Sequence, residues 1–334
     1  MGRDGRAWRA AALAVMTALA VFCIPAGAGA ASKKTSGPPA TLAPLTTPAP
    51  PPEPEMPPRD EEGFLAGEGA FVYQSPEEGQ WIYLNRELQV FIRRSGDASI
   101  PLIWFETEIR TRGEERLRTV MTSPGRPGRN YRYPFDIAKD EKFVLGFSDD
   151  FYATRMAKGE TVGIIIREGE IISKKTNRKS GYSLPNLDMM IQYEDGRLEV
   201  CECNEHTAQE LLDMGAVNVF SFGPILIRDG VINDKVYSGY YRSIEPRHAL
   251  GMIEPGHYLL LSVQGRREDS KGTFLQRMAE MMKERGVTQA LNLDGGNTMA
   301  LVFMGEMLNK EAVYKNKKFV RTVTSLIGIG NTGE

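Results

Sequence analysis

Two glycine-containing loops could bind an anion, because each directly follows an apolar segment typical of a β-strand. Val217–Phe222 leads into Gly223-Pro224, and Val287–Leu293 leads into Asp294-Gly295-Gly296. Glycine lets the backbone approach a ligand closely, and successive amide groups can cradle a negative charge. The pattern alone is a weak signal, since any tight turn has a similar composition.

Zinc-binding side chains are scarce in this sequence. Outside the N-terminal segment the only cysteines are Cys201 and Cys203, and the histidines His206, His248 and His257 are scattered. These residues do not form a familiar zinc motif. In a strand the two thiols share one face at the outer limit of disulfide geometry, so no disulfide framework is expected. The need for an oxygen-ligated divalent cation stays open.

Two segments are predicted to be helices that precede these loops. Thr207–Met214 starts with Thr207 and Glu210 at the spacing of a capping box. Lys271–Arg285 carries a methionine-rich apolar stripe and stops at Gly286. The stripe is typical of core packing rather than of a cofactor surface.

Strand-like segments outnumber these helices and follow one another closely between Trp81 and Ile329. Turn signals at Glu168-Gly169, Asp195-Gly196 and Asp229-Gly230 favour hairpins and antiparallel pairing. The predicted fold class is therefore α+β: a single domain with a mixed, largely antiparallel β-sheet and a few helices.

Charge excludes several classes of function. The 334 residues contain 41 Lys and Arg against 43 Asp and Glu, a formal net charge of −2. Acidic and basic residues are interleaved, which argues against a nucleic-acid binder and against a polybasic membrane surface. Any anion is expected to be bound locally.

The N-terminus has the composition of an export signal. Arg3, Arg6 and Arg9 precede the apolar run Ala10–Ile24 and then small residues. Residues 1–30 are therefore predicted to be a signal peptide, or an uncleaved N-terminal anchor that would be the only membrane contact. Residues 31–59 are proline-rich and are predicted to be a spacer, which leaves 60–334 as the domain. The location implied is extracytoplasmic, either secreted or tethered at the cell envelope.

Five ordered motifs resemble the phosphodiester glycosidase family, to which the lysosomal uncovering enzyme belongs. They are Ser148-Asp149-Asp150-Phe151-Tyr152, Ser221-Phe222-Gly223-Pro224, Arg247-His248-Ala249-Leu250-Gly251, Val263-Gln264-Gly265-Arg266 and Asn292-Leu293-Asp294-Gly295-Gly296-Asn297-Thr298. The resemblance covers roughly residues 100–330 and implies an uncovering-enzyme-like fold.

The activity implied is hydrolysis of a sugar joined through its anomeric carbon to a phosphodiester. Arg247 and Arg266 are the candidates for binding the phosphodiester, because a guanidinium donates two parallel hydrogen bonds to phosphate oxygens. The substrate would be a phosphorylated glycan or glycopolymer of the envelope, such as an exopolysaccharide.

The candidate catalytic carboxylates are Asp294 and Asp150, since glycoside hydrolysis commonly uses two. Asp294 is the expected nucleophile or base, and Asp150 is either the second carboxylate or a substrate ligand. The leaving phosphate monoester has a second pKa near 6, so strong general-acid help is dispensable.

The remaining candidate substrate-binding residues follow from the same motifs. They are Asn292, Ser221, Gly223, Gly295, Gly296, Thr298 and Tyr152. His248 is left out, because neighbours in a strand point to opposite faces and His248 would face away from the site if Arg247 faces it.

Two departures from the family pattern keep other functions open: Met299 follows Thr298, and Gln264 replaces an aspartate. One alternative is a non-catalytic wall or polysaccharide-binding protein. The other is a phosphodiesterase that holds a metal ion with Asp149, Asp150 and Asp294.

Overall fold

The computed structural model describes residues 42–49, 51–97, 99–124, 128–150, 163–175 and 187–333. These residues belong to one compact unit, Thr41–Glu334. Tyr152 and the predicted signal lie outside the described residues. None of the helices in the described ranges is long and apolar enough to cross a membrane.

The described residues contain three α-helices and 21 strands. The helices are α1 Pro134–Asp140, α2 Ala208–Asp213 and α3 Leu275–Glu284. The strands are β1 Phe71–Ser75, β2 Gln80–Leu84, β3 Leu88–Asp97, β4 Leu102–Thr111, β5 Arg118–Met121, β6 Leu145–Phe147, β7 Gly163–Arg167, β8 Glu170–Lys175, β9 Asp188–Tyr193, β10 Leu198–Cys201, β11 Ala216–Phe222, β12 Ile225–Arg228, β13 Val231–Ile232, β14 Arg247–Glu254, β15 His257–Val263, β16 Gln289–Leu293, β17 Leu301–Phe303, β18 Glu306–Met307, β19 Val313–Tyr314, β20 Lys317–Lys318 and β21 Ser325–Ile329.

The strands form one large sheet and three smaller ones. The nine-stranded sheet has the order β1-β2-β3-β4-β15-β14-β16-β12-β13, and the two five-stranded sheets have the orders β10-β9-β11-β7-β8 and β18-β17-β6-β21-β5. The strands β19 and β20 form a separate hairpin. All pairs are antiparallel, including the hairpins β7–β8, β9–β10 and β12–β13 at the predicted turns. The predicted α+β, largely antiparallel single domain is confirmed.

Each face of the nine-stranded sheet is covered by a separate hydrophobic core. One core joins it to both five-stranded sheets, through residues such as Leu250, Phe220 and Phe303. The second core lies under α3, where Met278 and Met282 are fully buried. Burial of one such side chain stabilises the fold by about 1.5–3 kcal/mol.

The capped helix agrees with its prediction. Thr207 accepts a hydrogen bond from the amide of Glu210, and the Glu210 carboxylate accepts one from the amide of Thr207. This capping box satisfies backbone donors that the first turn leaves without partners.

The second predicted helix starts later than expected, at Leu275 instead of Lys271. Gly272 has a φ of +106°, and the amide of Thr273 donates to the carbonyl of Glu245 at 3.0 Å. The backbone before α3 is thus used in an antiparallel bridge between Glu245 and Thr273. This bridge supports the chain just before β14.

Residues 42–59, predicted as part of the spacer, contact the domain along much of their length. Leu45 packs against the core under α3, and the amide of Thr46 donates to Asp97 at 2.7 Å. Arg277 of α3 donates to the carbonyl of Ala43 at 3.0 Å.

Candidate active site

The ends of three neighbouring strands of the nine-stranded sheet lie side by side and bring three of the family motifs together. Arg247 at the start of β14 pairs with Val263 at the end of β15, and His248 pairs with Leu293 at the end of β16. The loops that follow Val263 and Leu293 therefore start beside Arg247. This end of the sheet contains Arg247, Arg266 and Asp294.

Glycines allow these loops to lie against one another. A Cβ atom on Gly295 would lie 2.3 Å from the carbonyl oxygen of Pro246, and one on Gly265 would lie 2.7 Å from the nitrogen of Pro246. The amide of Gly296 donates to the same carbonyl at 3.0 Å. Since real Cβ contacts are longer than this, only glycine fits at positions 295 and 265 without movement of the backbone.

The predicted site residues divide into two groups by exposure. Asp294, Gly295, Gly296, Arg247 and Arg266 are partly exposed. The others among the described residues are buried: Asp150, Ser221, Gly223, Asn292 and Thr298. The first group is accessible to solvent, whereas the second lies within the protein.

The two arginines have different partners. Arg266 donates to the carboxylate of Glu245 at 2.8 Å and to the side-chain oxygen of Asn297 at 2.8 Å. Arg247 donates to the carbonyl of Thr273 at 3.3 Å and to the carbonyl and hydroxyl oxygens of Ser243 at 2.9 and 3.0 Å. Within the described ranges, no carboxylate lies within ion-pair distance of Arg247.

Burial makes the charge of Arg247 costly. Desolvation is the largest cause that lowers the pKa of its guanidinium, to about 10, and the neighbouring cation Arg266 lowers it further, while Glu245 opposes the shift. A buried cation without an anionic partner is stabilised when an anion binds beside it.

Asp150 is fully buried and both of its carboxylate oxygens are bound. One accepts from the guanidinium of Arg167 at 2.8 Å, and the other accepts from the amide of Ser221 at 2.8 Å. The hydroxyl of Ser221 donates to the carbonyl of Ile164 at 2.6 Å. In this geometry Asp150 holds the end of β11 and is not exposed at the end of the sheet that contains Arg247.

Arg167 joins the two five-stranded sheets, and sequence reasoning missed it. Its guanidinium is buried, lies 3.4 Å from Asp149 and donates to the carbonyl of Val219 at 2.6 Å. The carbonyl of Asp149 in turn accepts from the amide of Asp294 at 3.3 Å. The buried ion pairs are thus connected to the candidate catalytic loop through the backbone of Asp149.

Asn292 and Thr298 are also engaged within the protein. The side-chain amide of Asn292 donates to the carbonyl of Gly223 at 2.9 Å. The hydroxyl of Thr298 accepts from Arg321 at 2.9 Å. Arg321 is a further site neighbour that sequence reasoning missed, because it lies in no motif.

The predicted metal ligands do not form a metal site. Asp149 and Asp150 both pair with the guanidinium of Arg167, whose charge offsets one of their two negative charges. Across the described ranges, no group of three or more His, Cys, Asp or Glu side chains could hold a metal ion. The residues therefore do not fit the metal that the phosphodiesterase alternative requires.

His248 faces the core. Its Nδ1 lies 2.9 Å from the hydroxyl of Ser262, and its ring packs edge-on against Phe147 at 6.0 Å. Burial lowers the pKa of the imidazole to about 3. The alternation of side chains along β14 thus separates His248 from Arg247, in agreement with its exclusion from the site.

Three known proteins and one family model are similar to the chain. A family model described as phosphodiester glycosidase matches residues 141–330. The chain is 28% identical over 218 residues to N-acetylglucosamine-1-phosphodiester alpha-N-acetylglucosaminidase of Bos taurus, covering 59% of this chain and 39% of the relative. It is 26% identical over 190 residues to the SPbeta prophage-derived uncharacterized protein YomE of Bacillus subtilis (strain 168), covering 56% of this chain and 28% of the relative. The chain thus spans less than half the length of these curated relatives.

A solved structure shares the fold. The catalytic domain of the zebrafish N-acetylglucosamine-1-phosphodiester alpha-N-acetylglucosaminidase, auto-inhibited by its pro-peptide, matches with a TM-score of 0.54 and 19% identity. The match covers 73% of this chain and 83% of the zebrafish domain.

Proposed function

Because the chain belongs to the phosphodiester glycosidase family, we propose that it is a hydrolase that releases a sugar from a glycosyl 1-phosphodiester. The bond cleaved joins the anomeric carbon to the phosphate oxygen. Water supplies the hydroxyl group on the anomeric carbon, and the phosphate leaves as a monoester. The reaction class is that in the name of the Bos taurus relative.

The observation that carries this proposal is the electrostatic state of Arg247. Its partly buried guanidinium has only neutral hydrogen-bond partners among the described residues, and Arg266 lies close enough to lower its pKa. A phosphodiester anion beside Arg247 would supply an ion-pair partner, and two of its oxygens would accept the parallel hydrogen bonds that the planar guanidinium donates. Arg247 and Arg266 are therefore the proposed phosphodiester ligands.

Asp294 is the proposed nucleophile or base. It is partly exposed at the same end of the sheet as Arg247, and its amide donates a hydrogen bond to the carbonyl of Asp149. Gly295 and Gly296 follow it, so that the backbone of the loop can approach the substrate. Since the leaving monoester is a weak base, the reaction proceeds without a second carboxylate that donates a proton.

Asp150, Ser221, Asn292 and Thr298 are proposed to position the loops. Each is buried and hydrogen-bonded to a neighbouring loop or strand. This assignment replaces direct substrate contact by Asp150 with support of the end of β11.

The setting proposed is the outside of the cell. The predicted signal of residues 1–30 would export the chain, and the substrate would be a phosphorylated glycopolymer of the envelope. Support comes from the N-terminal composition, an argument that is independent of the site.

The test is turnover by the full-length chain of a glycosyl phosphodiester panel in oxygen-18 water. We expect the label on the released sugar. Asp294→Asn should lower kcat about a hundredfold or more, equivalent to about 2.7 kcal/mol of barrier. Asp195→Asn, at an exposed hairpin turn, is the matched control and should leave kcat unchanged.

Two results would contradict the proposal. Label on the phosphate would show phosphodiesterase chemistry at the P–O bond. Saturable glycan binding by the wild type without product, unaffected by Asp294→Asn, would show a binding protein.

A further inference from the structure

A short basic hairpin lies beside the candidate site and has no role in the proposed mechanism. We call residues 310–321 the basic hairpin; its strands are Val313–Tyr314 and Lys317–Lys318. It contains five basic residues against the single acid Glu311: Lys310, Lys315, Lys317, Lys318 and Arg321. This excess is local, because the whole chain is slightly acidic.

The first end of the basic hairpin is attached to the loops of the site. The amide of Lys310 donates to the side-chain oxygen of Gln264 at 2.9 Å. The side-chain amide of Asn297 donates to the carbonyl of Ala312 at 2.7 Å. Gln264, one of the departures from the family pattern, thus connects the hairpin to the Arg266 loop.

The second end is attached to the catalytic loop itself. Arg321 donates to the hydroxyl of Thr298, four residues after Asp294. Lys318 is three residues before Arg321, so their Cα atoms are at most roughly 10 Å apart. Lys318 is thus close in the chain to the residue that contacts the loop carrying Asp294.

The cations of the hairpin differ in how far they are neutralised. Arg267 and Lys310 share Asp269, at 2.8 and 3.6 Å. Lys317 and Lys318 are exposed, and no carboxylate within the described ranges lies within ion-pair distance of them. These two lysines are the uncompensated positive charge next to the site.

A cleft of about 400 Å³ separates the basic hairpin from its neighbours. Its lining includes Arg267, Lys310, Lys318, Glu311, Asn309 and Phe135. Met307 and Val320 complete the lining, and Arg267 and Lys310 already pair with Asp269. Lys318 is the cation of this lining that has no ion-pair partner among the described residues, and it favours a negatively charged occupant.

We propose that the basic hairpin binds a neighbouring phosphate of the same substrate chain, so that the substrate is a linear polymer with repeating glycosyl phosphodiester links. The inference rests on the proposed function and adds to it the class of substrate. Arg247 and Arg266 bind the phosphate at the cleaved bond, and Lys317 and Lys318 bind the next one. A substrate with a single phosphodiester makes only the first contact.

The test compares two substrates of the full-length chain. One is a poly(glycosyl 1-phosphate) of at least four repeats, and the other is the methyl phosphodiester of the same sugar 1-phosphate. In Lys317→Gln/Lys318→Gln, the ratio of kcat/KM for the polymer to that for the methyl diester should fall about tenfold, as expected for the loss of two exposed ion pairs. The loss should appear in KM, and 0.5 M NaCl should produce a similar loss in the wild type.

The matched control is Lys174→Gln/Lys283→Gln, which removes two exposed lysines elsewhere on the surface. It should leave the ratio unchanged. Thermal unfolding of both double variants verifies that they are folded.

The outcomes separate this inference from the proposed function. Turnover of both substrates with an unchanged ratio in Lys317→Gln/Lys318→Gln would overturn the inference alone. No turnover of either substrate would contradict the proposed function; polymer binding by Asp294→Asn that depends on the two lysines would then still support the hairpin as a polyanion site. Failure of that binding as well would overturn both.

Discussion

Arg247 and Arg266 have the same side chain but different surroundings. Arg266 has the carboxylate of Glu245 as a partner, whereas Arg247 has only carbonyl and hydroxyl oxygens among the described residues. Their presence in two family motifs predicts a pair of phosphate ligands. The sequence does not show which of the two is already neutralised, because Glu245 is two residues from Arg247 in the chain yet pairs with Arg266, 21 residues away.

This difference predicts how substrate binding depends on pH. The pKa of Arg247 is lowered to about 10, so its charge is complete well below pH 10 and is lost as the pH rises through that value. KM for a phosphodiester should therefore be flat near neutral pH and rise above about pH 10. In Arg247→Lys the rise should move to lower pH, because an ammonium group starts from a lower ordinary pKa and is also desolvated.

The measurement is KM and kcat from pH 7 to 11, with circular dichroism to verify that the chain stays folded. An identical profile in the wild type and in Arg247→Lys would show that another group titrates. That result would remove Arg247 from the phosphate site.

The role of Asp150 depends on its surroundings more than on its residue type. Its position in a family motif predicts a site carboxylate, and its type suits catalysis. Its burial and its partners Arg167 and Ser221 are properties of the packed sheets. No local pattern indicates that Arg167, seventeen residues away, points at it.

At the scale of elements, the central strand β14 is the least predictable part of the site. Its sequence starts with Arg247 and His248, which are not typical of a strand, yet it pairs with both β15 and β16. Strands on both sides compensate for the weak local preference. The predicted alternation of Arg247 and His248 is found because any strand alternates its side chains.

The loop after β16 passes close to Pro246, just before β14, and this contact depends on Gly295. In Gly295→Ala the new Cβ atom would lie 2.3 Å from the carbonyl of Pro246, so the loop after β16 must move away from Arg247. We expect kcat/KM to fall at least about a hundredfold, since small displacements of catalytic groups have effects of this size. Gly67→Ala, whose Cβ atom would meet nothing within 4 Å, is the control.

Steady-state kinetics and thermal unfolding of both variants test this prediction. Wild-type kcat/KM in Gly295→Ala would show that the contact with Pro246 does not position Asp294. Equal losses in Gly67→Ala would show a general effect on the fold.

The start of α3 shows why helix boundaries are harder to predict than helices. The apolar stripe is predicted correctly and packs under the nine-stranded sheet. The four residues before Leu275 include the weak helix formers Gly272 and Thr273, and Thr273 bridges Glu245. A tertiary hydrogen bond to a distant segment replaces helical hydrogen bonds there.

In the whole molecule, residues 42–59 contact the domain more than their composition predicts. Their proline content predicts a spacer, and local composition offers little to order them. Leu45 nevertheless packs on the core under α3, and backbone groups of this segment bond to Asp97, Gln80 and Arg277.

These contacts predict that the segment contributes to stability. Removal of residues 1–59 should lower the free energy of unfolding by about 1–3 kcal/mol relative to removal of residues 1–41, from the loss of Leu45 burial and of several hydrogen bonds. Urea unfolding of the two truncated chains measures the difference. Leu45→Ser in the longer chain should account for part of it, and Thr47→Ser is the control.

Equal stability of the two truncated chains would contradict this prediction. Residues 42–59 would then act as a spacer up to residue 60, as the composition alone suggests.

Local residue patterns predicted the kinds of secondary structure, and the motifs predicted the family. Hairpin turns, the capping box and the apolar stripe of α3 depend on neighbouring residues, so their patterns are readable along the chain. The five motifs point to the family because their residue types and spacing match its pattern.

Which of the predicted site residues are exposed and which are buried depends on the tertiary packing. Asp294 and Arg247 are partly exposed, whereas Asp150 and Ser221 are buried, although all four belong to motifs. Exposure depends on how three sheets pack and on contacts between residues far apart in the chain. Those contacts also place the basic hairpin beside Thr298, a proximity that no local pattern contains.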